Sequence, residues 1–335
     1  MTVDMRTDYL GLELANPIVA AASPLTGTID SLRALESAGV GAVVLRSLFE
    51  EQIEHDEMAA HDLFLHGAEI SAEVDGFFPE LEDYNTGPDA YLGLISGAKK
   101  ALSIPVIASL NGHTAGGWTR YAKLFEEAGA DAIELNVYFL ATDPQMTSSD
   151  VEARYIDLVS SVVDQVAIPV SVKVGPFFSS MANVALRIVD AGAAGLVLFN
   201  RFIQPDVMLD DLTVGPRLVL SDSEEGRLAL RWIAILRGHT EASLGASTGV
   251  HEAADALKLL LAGADVVQVA SSLIERGPYH AESLISGVRS WLEEGDYASV
   301  AQMRGSLSQR NVPDPEAFER ANYMRALVNY TTERV

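Results

Sequence analysis

Polar side chains that could bind a ligand stand within or at the end of short apolar runs in this sequence. Lys173 lies inside the run Ile168–Val174, while Asn136 ends DAIELN and Asn200 ends GLVLFN. An ammonium inside an apolar strand needs an anion or an electron-rich group, because burying it unpaired is costly. A carboxamide both donates and accepts, so the two asparagines could hydrogen-bond a planar heterocycle. These three side chains are the first candidates for a binding site.

Each of these side chains also has a purely structural interpretation. Lys173 could pair with a neighbouring acid such as Glu134, and the two asparagines could cap the ends of their strands. Arg46, which ends the run AVVLR, could balance an anionic ring or substrate, or it could form a surface salt bridge. The sequence leaves these alternatives open.

The stretch Ala242–Leu273 contains two small-residue turns, and each turn follows an apolar run. The run Ala242–Ala246 leads into Ser247–Gly249, and the run Asp265–Ala270 leads into Ala270–Ser272. A helix-period segment separates the two units, so two strand ends and two helix starts should lie side by side. Free N–H groups and helix dipoles at such positions favour a phosphate. An ordinary βαβ unit with tight turns is the competing interpretation.

Short apolar runs alternate with helix-period segments along most of the chain. Runs that are apolar almost throughout indicate parallel strands buried on both faces. Four of them follow a helix end and a glycine stop, in AGVGAVVL, AGADAIEL, AGAAGLVL and AGADVVQV. The alternation favours an α/β fold of the (β/α)8 TIM barrel type over an open doubly wound sheet. The predicted strands are 17–22, 42–46, 105–110, 131–136, 168–174, 195–200, 242–246 and 265–270. The predicted helices are 28–38, 90–102, 119–128, 149–166, 181–191, 226–236, 251–262 and 279–294.

The chain of 335 residues reads as one barrel domain (1–335), because no linker divides it. The additions to the barrel are an N-terminal segment (1–15), long loops (47–88 and 201–225) and a helical C-terminal extension (296–335). In such a barrel the chemistry gathers at the C-terminal ends of the strands. The lysine, the asparagines and the two turns are therefore expected on one rim.

The composition excludes several classes of site and partner. The chain has no cysteine, which rules out disulfides, thiolate-held iron–sulfur clusters and a cysteine base. A net charge of −24 disfavours nucleic acid and anionic membranes as partners. No apolar run approaches the ~20 residues of a membrane span, and the N-terminus lacks a signal-peptide pattern. We expect a cytoplasmic protein without a metal site.

The order and spacing of several motifs resemble the dihydroorotate dehydrogenase family of FMN-dependent (β/α)8 barrels. The motifs are NPIVAAAS, ELN, VKV, FN and TGVHEAADALKLLLAGADVVQVASSLIERGP. The resemblance runs from about Leu10 to Ser308, which is nearly the whole chain. The stretches LVLFNRFIQPD, RLALRWIAIL and DPEAFERANYMRAL look like a subgroup usually labelled dihydroorotate dehydrogenase-like.

The resemblance implies a bound FMN and assigns a role to each matching residue. Backbone ligands of the phosphate would be Thr248, Gly249, Ala270 and Ser271, with Thr248 standing where a second glycine is usual. Residues that line or hydrogen-bond the ring would be Ala21, Ala22, Ser23, Ser47, Ser109, Asn136 and Asn200. Lys173 would lie beside the pyrimidine end of the flavin and stabilise negative charge on the reduced ring. Substrate-binding residues would be Arg46, Asn136, Asn200 and Arg201.

The sequence departs from the family at the catalytic base. The family's Cys or Ser base falls on Phe139, which cannot take a proton. General-base help is typically worth 10²–10⁴-fold in rate, so efficient dihydroorotate turnover is in doubt. Tyr138, Asp143 and His113 are the residues that could replace the base, although each could simply pack or cap a loop.

Other departures concern substrate contacts and the phosphate side. Asparagines of the family that bind substrate fall on Pro79 and Ala141. A lysine after the second strand becomes Arg46, a serine after the sixth strand becomes Arg201, and a Gly-Gly segment becomes Ser221–Arg227. The cofactor half of the family pattern is therefore largely present, and the dihydroorotate half is largely missing.

The leading hypothesis is an FMN-dependent oxidoreductase acting on CH–CH groups, with an altered substrate site. The resemblance implies oxidation of dihydroorotate to orotate in pyrimidine biosynthesis, and it implies a homodimer. Electrons would pass to a soluble acceptor or to a partner redox subunit. Two alternatives stay open. The first is a Schiff-base lyase that uses the Lys173 amine. The second is a divergent flavoprotein or electron-transfer subunit, which Phe139 at the base position favours.

Overall fold

In the computed structural model the chain is organised around a closed sheet of parallel strands. The structure describes residues 3–50, 52, 87–112, 118–137, 139–201, 204–210, 212–319, 323, 327 and 328. In chain order the helices and strands are β1 (Thr7–Tyr9), β2 (Leu12–Leu14), β3 (Ile18–Ala20), α1 (Ile29–Ser37), β4 (Ala42–Val44), β5 (Leu48–Phe49), α2 (Pro88–Ala101), β6 (Val106–Gly112), α3 (Trp118–Glu127), β7 (Ala132–Val137), α4 (Ser148–Val163), β8 (Val170–Val174), α5 (Met181–Asp190), β9 (Gly195–Leu198), β10 (Pro205–Met208), β11 (Thr213–Pro216), α6 (Gly226–Leu236), β12 (Ser243–Ser247), α7 (Ala253–Ala262), β13 (Val266–Val269), α8 (Ser271–Arg276), α9 (His280–Glu294) and α10 (Val300–Met303).

Eight of these strands close the barrel, in the order β3, β4, β6, β7, β8, β9, β12 and β13, with β13 paired back to β3. All neighbouring pairs in the ring are parallel. The predicted (β/α)8 barrel is confirmed, and its predicted strand boundaries differ from the observed ones by at most two residues. Nearly continuous apolar runs identify these strands because both of their faces are buried.

Helices cover the outside of the barrel through apolar positions spaced three and four residues apart. In α5 the buried residues are Met181, Val184, Ala185 and Ile188, and in α3 they are Trp118, Tyr121, Ala122 and Phe125. This spacing places one apolar stripe of each helix against the sheet. The helix–strand alternation therefore brings the loops that follow the strands to one end of the barrel.

The opposite end of the barrel is closed by the N-terminal segment, whose structure the sequence left open. The β1–β2 hairpin inserts Tyr9, which is fully buried. The Leu10 N–H donates to Ser243 Oγ over 2.9 Å, and Thr7 Oγ1 donates to the Asp265 carbonyl over 2.9 Å. These contacts lie at the start of β12 and just before β13. A ligand site therefore has room only at the other end.

The long loops and the C-terminal extension carry small elements. The 201–225 loop holds the antiparallel hairpin β10–β11. Of the predicted 47–88 loop, the described part contains β5, which pairs with β6. The described part of the 296–335 extension contains α10 and a 3-10 turn at Pro315–Phe318. Within the described residues, no helix has the length and apolar character needed to cross a bilayer.

Candidate functional site

A cavity of about 610 Å³ opens at the C-terminal ends of the barrel strands. This volume falls within the ~300–1,000 Å³ that small-molecule and cofactor sites occupy. The predicted site residues that line it are Ala21, Ala22, Ser23, Arg46, Ser47, Asn136, Lys173, Asn200, Arg201, Thr248, Gly249, Ala270 and Ser271. Ser109 lies behind this wall, fully buried, with its Oγ 2.8 Å from Ser47 Oγ. The fold thus gathers the predicted cofactor residues on one rim.

Lys173 is positioned by a buried polar network at the centre of the barrel. Its Nζ donates to Gln268 Oε1 over 3.2 Å and lies 3.5 Å from Glu134 Oε1. Gln268 Nε2 donates in turn to Glu134 Oε2 over 2.6 Å. Glu134 and Gln268 are each 1% exposed, and Lys173 is 7% exposed. The salt bridge between Lys173 and Glu134 that the structural interpretation predicts is therefore present. Lys173 lines the cavity as well.

Asn136 and Asn200 meet at the edge of the same cavity. Asn200 Nδ2 donates to Asn136 Oδ1 over 3.2 Å and to the Val137 carbonyl over 3.1 Å. Asn200 Oδ1 is buried and accepts no hydrogen bond within the described part of the chain. A buried acceptor without a partner costs about 1–3 kcal/mol. A ligand that donates a hydrogen bond here would remove that cost.

The turns after β12 and β13 lie side by side, and the Ser221 hydroxyl joins them. The Gly249 N–H donates to Ser221 Oγ over 3.3 Å, and Ser221 Oγ donates to Ser271 Oγ over 2.8 Å. Gly249 has φ +77°, and a Cβ there would collide with the backbone nitrogen of Gly226. A side chain at Gly249 is therefore excluded by both space and backbone conformation. A phosphate at these turns would share the Gly249 N–H with Ser221 or displace the serine hydroxyl.

The helix start after the first turn differs from the prediction. Helix α7 begins at Ala253, two residues later than predicted, and the N–H groups of His251 and Glu252 both donate to Asp255 Oδ2 over 3.1 Å. Burial alone would raise the pKa of Asp255, but hydrogen bonds from Ser223 and from these two N–H groups hold that pKa below its ordinary value. The expectation that both helix starts face a phosphate is corrected here, because a carboxylate already caps the start of α7.

The two arginines predicted to bind substrate have different contacts in the cavity wall. Arg201 Nε donates to Glu225 Oε2 over 2.8 Å and Nη2 donates to Glu225 Oε1 over 3.2 Å, while Nη1 bonds the Val219 carbonyl. Its charge is therefore balanced by a carboxylate. Arg46 is half-buried, and its stem packs on Gly27, where a Cβ would lie 3.0 Å from Arg46 Cδ. A substrate role stays a prediction for both residues.

Comparisons with known proteins agree with this geometry. The profile of the dihydroorotate dehydrogenase family matches residues 81–292, which is more than half of the chain. The chain belongs to the dihydroorotate dehydrogenase family. This is a family of oxidoreductases that act on CH–CH groups.

Three relatives illustrate the range of this family. A protein of Aeropyrum pernix named as a dihydroorotate dehydrogenase A (fumarate) is 34% identical over 61% of this chain and 67% of its own. The NAD-dependent dihydropyrimidine dehydrogenase subunit PreA of Escherichia coli is 26% identical over 98% of this chain and 82% of its own. The dihydroorotate dehydrogenase B (NAD(+)) catalytic subunit of Methanothermobacter thermautotrophicus is 26% identical over 90% of this chain and 97% of its own.

In this member of the dihydroorotate dehydrogenase family, the residue at the expected base position does not belong to the described cavity lining. Phe139 is absent from the described cavity lining, packs against the core and lies under the Arg154 guanidinium, 4.2 Å from the ring centroid. Its backbone also bonds the Tyr155 hydroxyl, whose pKa burial raises to about 12. The loop after β7 is therefore fixed by packing on α4 rather than by contacts with the cavity.

The three residues considered as a replacement base lie elsewhere or outside the described part. Asp143 is exposed, and its Oδ1 accepts from the Gln145 N–H over 2.9 Å, so it caps a loop and does not line the cavity. A role for Asp143 as a base stays a prediction that these contacts do not support. Tyr138 and His113 lie outside the described residues, as does Pro79.

Residues that the sequence did not assign to the site also line the cavity, among them Asn111, Ser221 and Gln268. Gln268 interrupts the apolar run DVVQV, and it stands opposite Ser247 in the β12–β13 register. A polar residue in the middle of a buried strand was the signal that could have found it. Ser221 gave no such signal, because its position depends on a loop.

The residues present fit a flavin mononucleotide. The cavity has small side chains at Ala21, Ala22 and Ala270, a cation at Lys173 and the unpartnered acceptor of Asn200. The turns at its far end supply backbone donors for a phosphate. Ser221 and Asp255 compete for some of these donors. The Ser221 hydroxyl could itself hydrogen-bond a phosphate oxygen after a rotation.

Proposed function

We propose that this chain is a single FMN-binding domain that acts as a dihydroorotate dehydrogenase-type oxidoreductase with an altered substrate site. One observation carries the proposal. A single cavity is lined by Lys173, by the Asn136–Asn200 pair and by the two turns, which are the groups proposed to contact the ring and the phosphate of FMN. A phosphate site at the last strands of a barrel is the common arrangement for this fold.

FMN, when bound, supplies the hydride acceptor. Lys173 would then stabilise negative charge at the reduced end of the ring, with Glu134 and Gln268 fixing its position from behind. Thr248, Gly249, Ala270 and Ser271 would hold the phosphate. The remaining proposed ring contacts are Ala21, Ala22, Ser23, Ser47, Ser109, Asn136 and Asn200.

The substrate is proposed to be a small cyclic molecule with an oxidisable CH–CH bond. Oxidation of dihydroorotate removes a proton as well as a hydride. The charged residues among the described cavity lining are Arg46, Lys173 and Arg201, and none of them is a carboxylate or histidine base. If Tyr138 and His113, which lie outside the described residues, do not supply a general base either, a loss of about 10²–10⁴-fold in rate is expected. Dihydroorotate should therefore reduce the flavin slowly, and a related dihydropyrimidine with a more acidic proton should do so faster.

The electron acceptor is proposed to be a soluble molecule or a partner redox subunit. Two of the relatives carry the word subunit in their names, and this chain has no cysteine with which to hold an iron–sulfur relay. The proposal includes a homodimer located in the cytoplasm and a role in pyrimidine metabolism. Size measurements by light scattering test the dimer directly.

The decisive experiment measures flavin content and anaerobic flavin reduction. The purified protein should be yellow, or it should take up added FMN. Dihydroorotate and dihydropyrimidines are then mixed with it without oxygen, and bleaching of the flavin absorbance is followed. A protein that neither contains nor binds FMN contradicts the proposal. A flavoprotein that no dihydropyrimidine bleaches contradicts the substrate class alone.

A second candidate function is an electron-transfer flavoprotein that has lost its small-molecule substrate. The position of Phe139, packed under Arg154 and away from the cavity, favours it. Rapid flavin reduction by a protein partner, with slow reduction by every small donor, would support this candidate. The Schiff-base lyase alternative is weaker, because Lys173 Nζ is engaged by Gln268 and Glu134. Borohydride trapping of a carbonyl compound on Lys173 would support the lyase candidate.

A further inference from the structure

A second cavity, of about 690 Å³, lies beside the first and is not used by the proposed function. The wall between them is formed by residues that line both: Asn200, Arg201, Leu218, Val219, Ser247 and Thr248. Arg201 fixes this wall through its bonds to Glu225 and the Val219 carbonyl. The second cavity extends outward from the wall to the first turns of α6. It is therefore a separate space with its own lining.

The charge of this second cavity is opposite to that of the protein. Its described lining contains four arginines and two glutamates, an excess of two positive charges, whereas the whole chain carries −24. The arginines are Arg201, Arg217, Arg227 and Arg231. A local positive cavity on so acidic a surface concentrates small anions against the overall field.

Arg231 is the arginine in this set that is ready to bind a ligand. Arg201 is paired with Glu225, Arg217 with Asp206 and Arg227 with Glu224. Arg231 is exposed on α6 and forms no ion pair or hydrogen bond within the part of the chain that the structure describes. A guanidinium can bind a phosphate through two parallel N–H donors.

The rest of the lining offers an apolar surface for a ring. Phe177 and Leu218 are each 72% exposed, and Leu228 is 43% exposed. Large apolar side chains with this exposure beside a cation suit a ligand that is part ring and part anion, since an aromatic face can stack a planar heterocycle. A phosphate monoester carries about −1.5 to −2 charges at neutral pH. Arg231 is the arginine of the lining whose charge no carboxylate balances within the described part of the chain.

We propose that this second cavity is a nucleotide-binding site, with the phosphate on Arg231 and the base against Phe177 and Leu218. The site is distinct from the FMN cavity and needs no flavin. Its ligand class is a phosphorylated planar heterocycle, in which neither the phosphate nor the ring is sufficient alone.

The test is calorimetric titration of adenosine 5′-monophosphate into the protein that carries one bound FMN, with unbound FMN removed, so that the first cavity is filled and the second is free. The monophosphate should bind, and adenosine and inorganic phosphate should each bind at least about tenfold more weakly, because each loses one of two contacts. Arg231→Gln should weaken binding by about tenfold or more. Phe177→Ser should weaken the binding of the monophosphate and leave the binding of inorganic phosphate unchanged.

The matched control is Arg289→Gln, which removes one positive charge from an exposed, unpaired arginine on α9, within the described part of the chain. It should change the dissociation constant by less than about twofold. Equal weakening by both glutamine variants would overturn the proposal, and so would loss of monophosphate binding once a single equivalent of FMN is bound. A protein that binds no FMN would contradict the proposed function alone, since Arg231→Gln reports on the second cavity in flavin-free protein too.

Discussion

The two sides of the main cavity are built in different ways. The proposed cofactor side contains Lys173, Thr248, Gly249, Gln268 and Ser271, and the proposed substrate side contains Arg46 and Arg201. Phe139, at the family's base position, stands outside the described cavity lining and packs on the core. On the cofactor side, Lys173 and Gln268 stand on buried strands and are bonded to one another and to Glu134. On the substrate side, Arg201 is held by Glu225. Phe139 is held by packing under Arg154.

This difference shows which part of a barrel site depends on the fold and which on its loops. A strand residue has its direction set by the sheet, because successive side chains alternate between the two faces. A loop residue takes its direction from whichever neighbours pack on it. The proposed ring contacts on strands are therefore expected to keep their direction with the barrel, while the proposed substrate contacts can be reassigned by a few loop residues.

The largest expected effect is on the buried ion pair behind the cofactor side. Glu134→Leu leaves the Lys173 ammonium, which is 7% exposed, without its carboxylate. Removing one partner of a buried pair typically destabilises a protein by about 3–5 kcal/mol. Urea denaturation followed by circular dichroism measures the loss.

The matched control is the double variant Glu134→Leu with Lys173→Met, which leaves no unpaired charge. It should regain most of the lost stability, since apolar replacement of a buried pair is often neutral. A double variant that is no more stable than the single one would show that packing, rather than the charge, dominates at this position.

The next largest effect is expected at the phosphate turn. Gly249→Ala drives a Cβ into the backbone nitrogen of Gly226, at a residue with φ +77°. The substitution should destabilise the protein by more than about 1 kcal/mol and abolish FMN retention. Gly277→Ala is the control, because Gly277 has φ +85° but an added Cβ would meet no atom within 4 Å. Equal FMN retention in both variants would argue against a phosphate at this turn.

The barrel could be predicted from the sequence because the signals were local and repeated. Each of the four repeated segments that begin with Ala-Gly ends a helix and starts a buried strand. The observed strands begin at Ala42, Ala132, Gly195 and Val266, each within one residue of the predicted start. The network behind Lys173 was only partly predictable. Glu134 was a candidate partner, but Gln268 became visible only when the register set it across the barrel.

The parts of the site that could not be predicted depend on loops. Ser221 is 28 residues from Gly249 in sequence, and only the folded 201–225 loop brings them together. Phe139 is a similar case, because the Arg154 guanidinium over its ring belongs to the next helix, α4. The cap on α7 is different. Asp255 stands in the first turn of that helix and forms a capping box with Glu252, so residue type and spacing could have predicted it.

A smaller effect is expected at the carboxylate that caps α7 next to the cofactor side. Asp255→Asn should cost about 0.5–2 kcal/mol at pH 7, as the loss of a helix cap does. The pKa of Asp255 is lowered in the folded protein, because hydrogen bonds from Ser223, His251 and Glu252 outweigh its burial. Its stabilising effect is therefore present above about pH 4 and disappears as the pH falls through the lowered pKa.

The measurement is the free energy of unfolding of both proteins at pH 7 and at about pH 2.5. The difference between the two proteins should be largest at pH 7 and should shrink in acid. A difference that stays constant over this range would mean that the ionised carboxylate is not the group that holds the cap.

A gain in stability is expected where the turn is strained. Thr248 is β-branched and has φ +79°, which is unfavourable for such a residue. Thr248→Gly should stabilise the protein by about 1 kcal/mol, because relief of about 1–3 kcal/mol of strain is partly offset by the entropy of glycine. Thr142→Gly, on an exposed loop without positive φ, is the control and should give no gain. Melting temperatures of the two variants with and without FMN make the comparison.

The smallest expected effect is at the substrate side, where restoring a hydroxyl should not restore a base. Phe139→Ser puts the family's residue type back at this position, but the side chain lies against the core and Arg154 rather than in the cavity. The rate of anaerobic flavin reduction by dihydroorotate should therefore change by less than about tenfold, against the 10²–10⁴-fold that a positioned base contributes. Leu140→Ser, at a neighbouring residue that is 56% exposed, serves as the control for loosening the loop. A gain of about a hundredfold in Phe139→Ser alone would mean that the loop turns toward the cavity when substrate binds, and the contrast between the two sides would then belong to the ligand-free protein only.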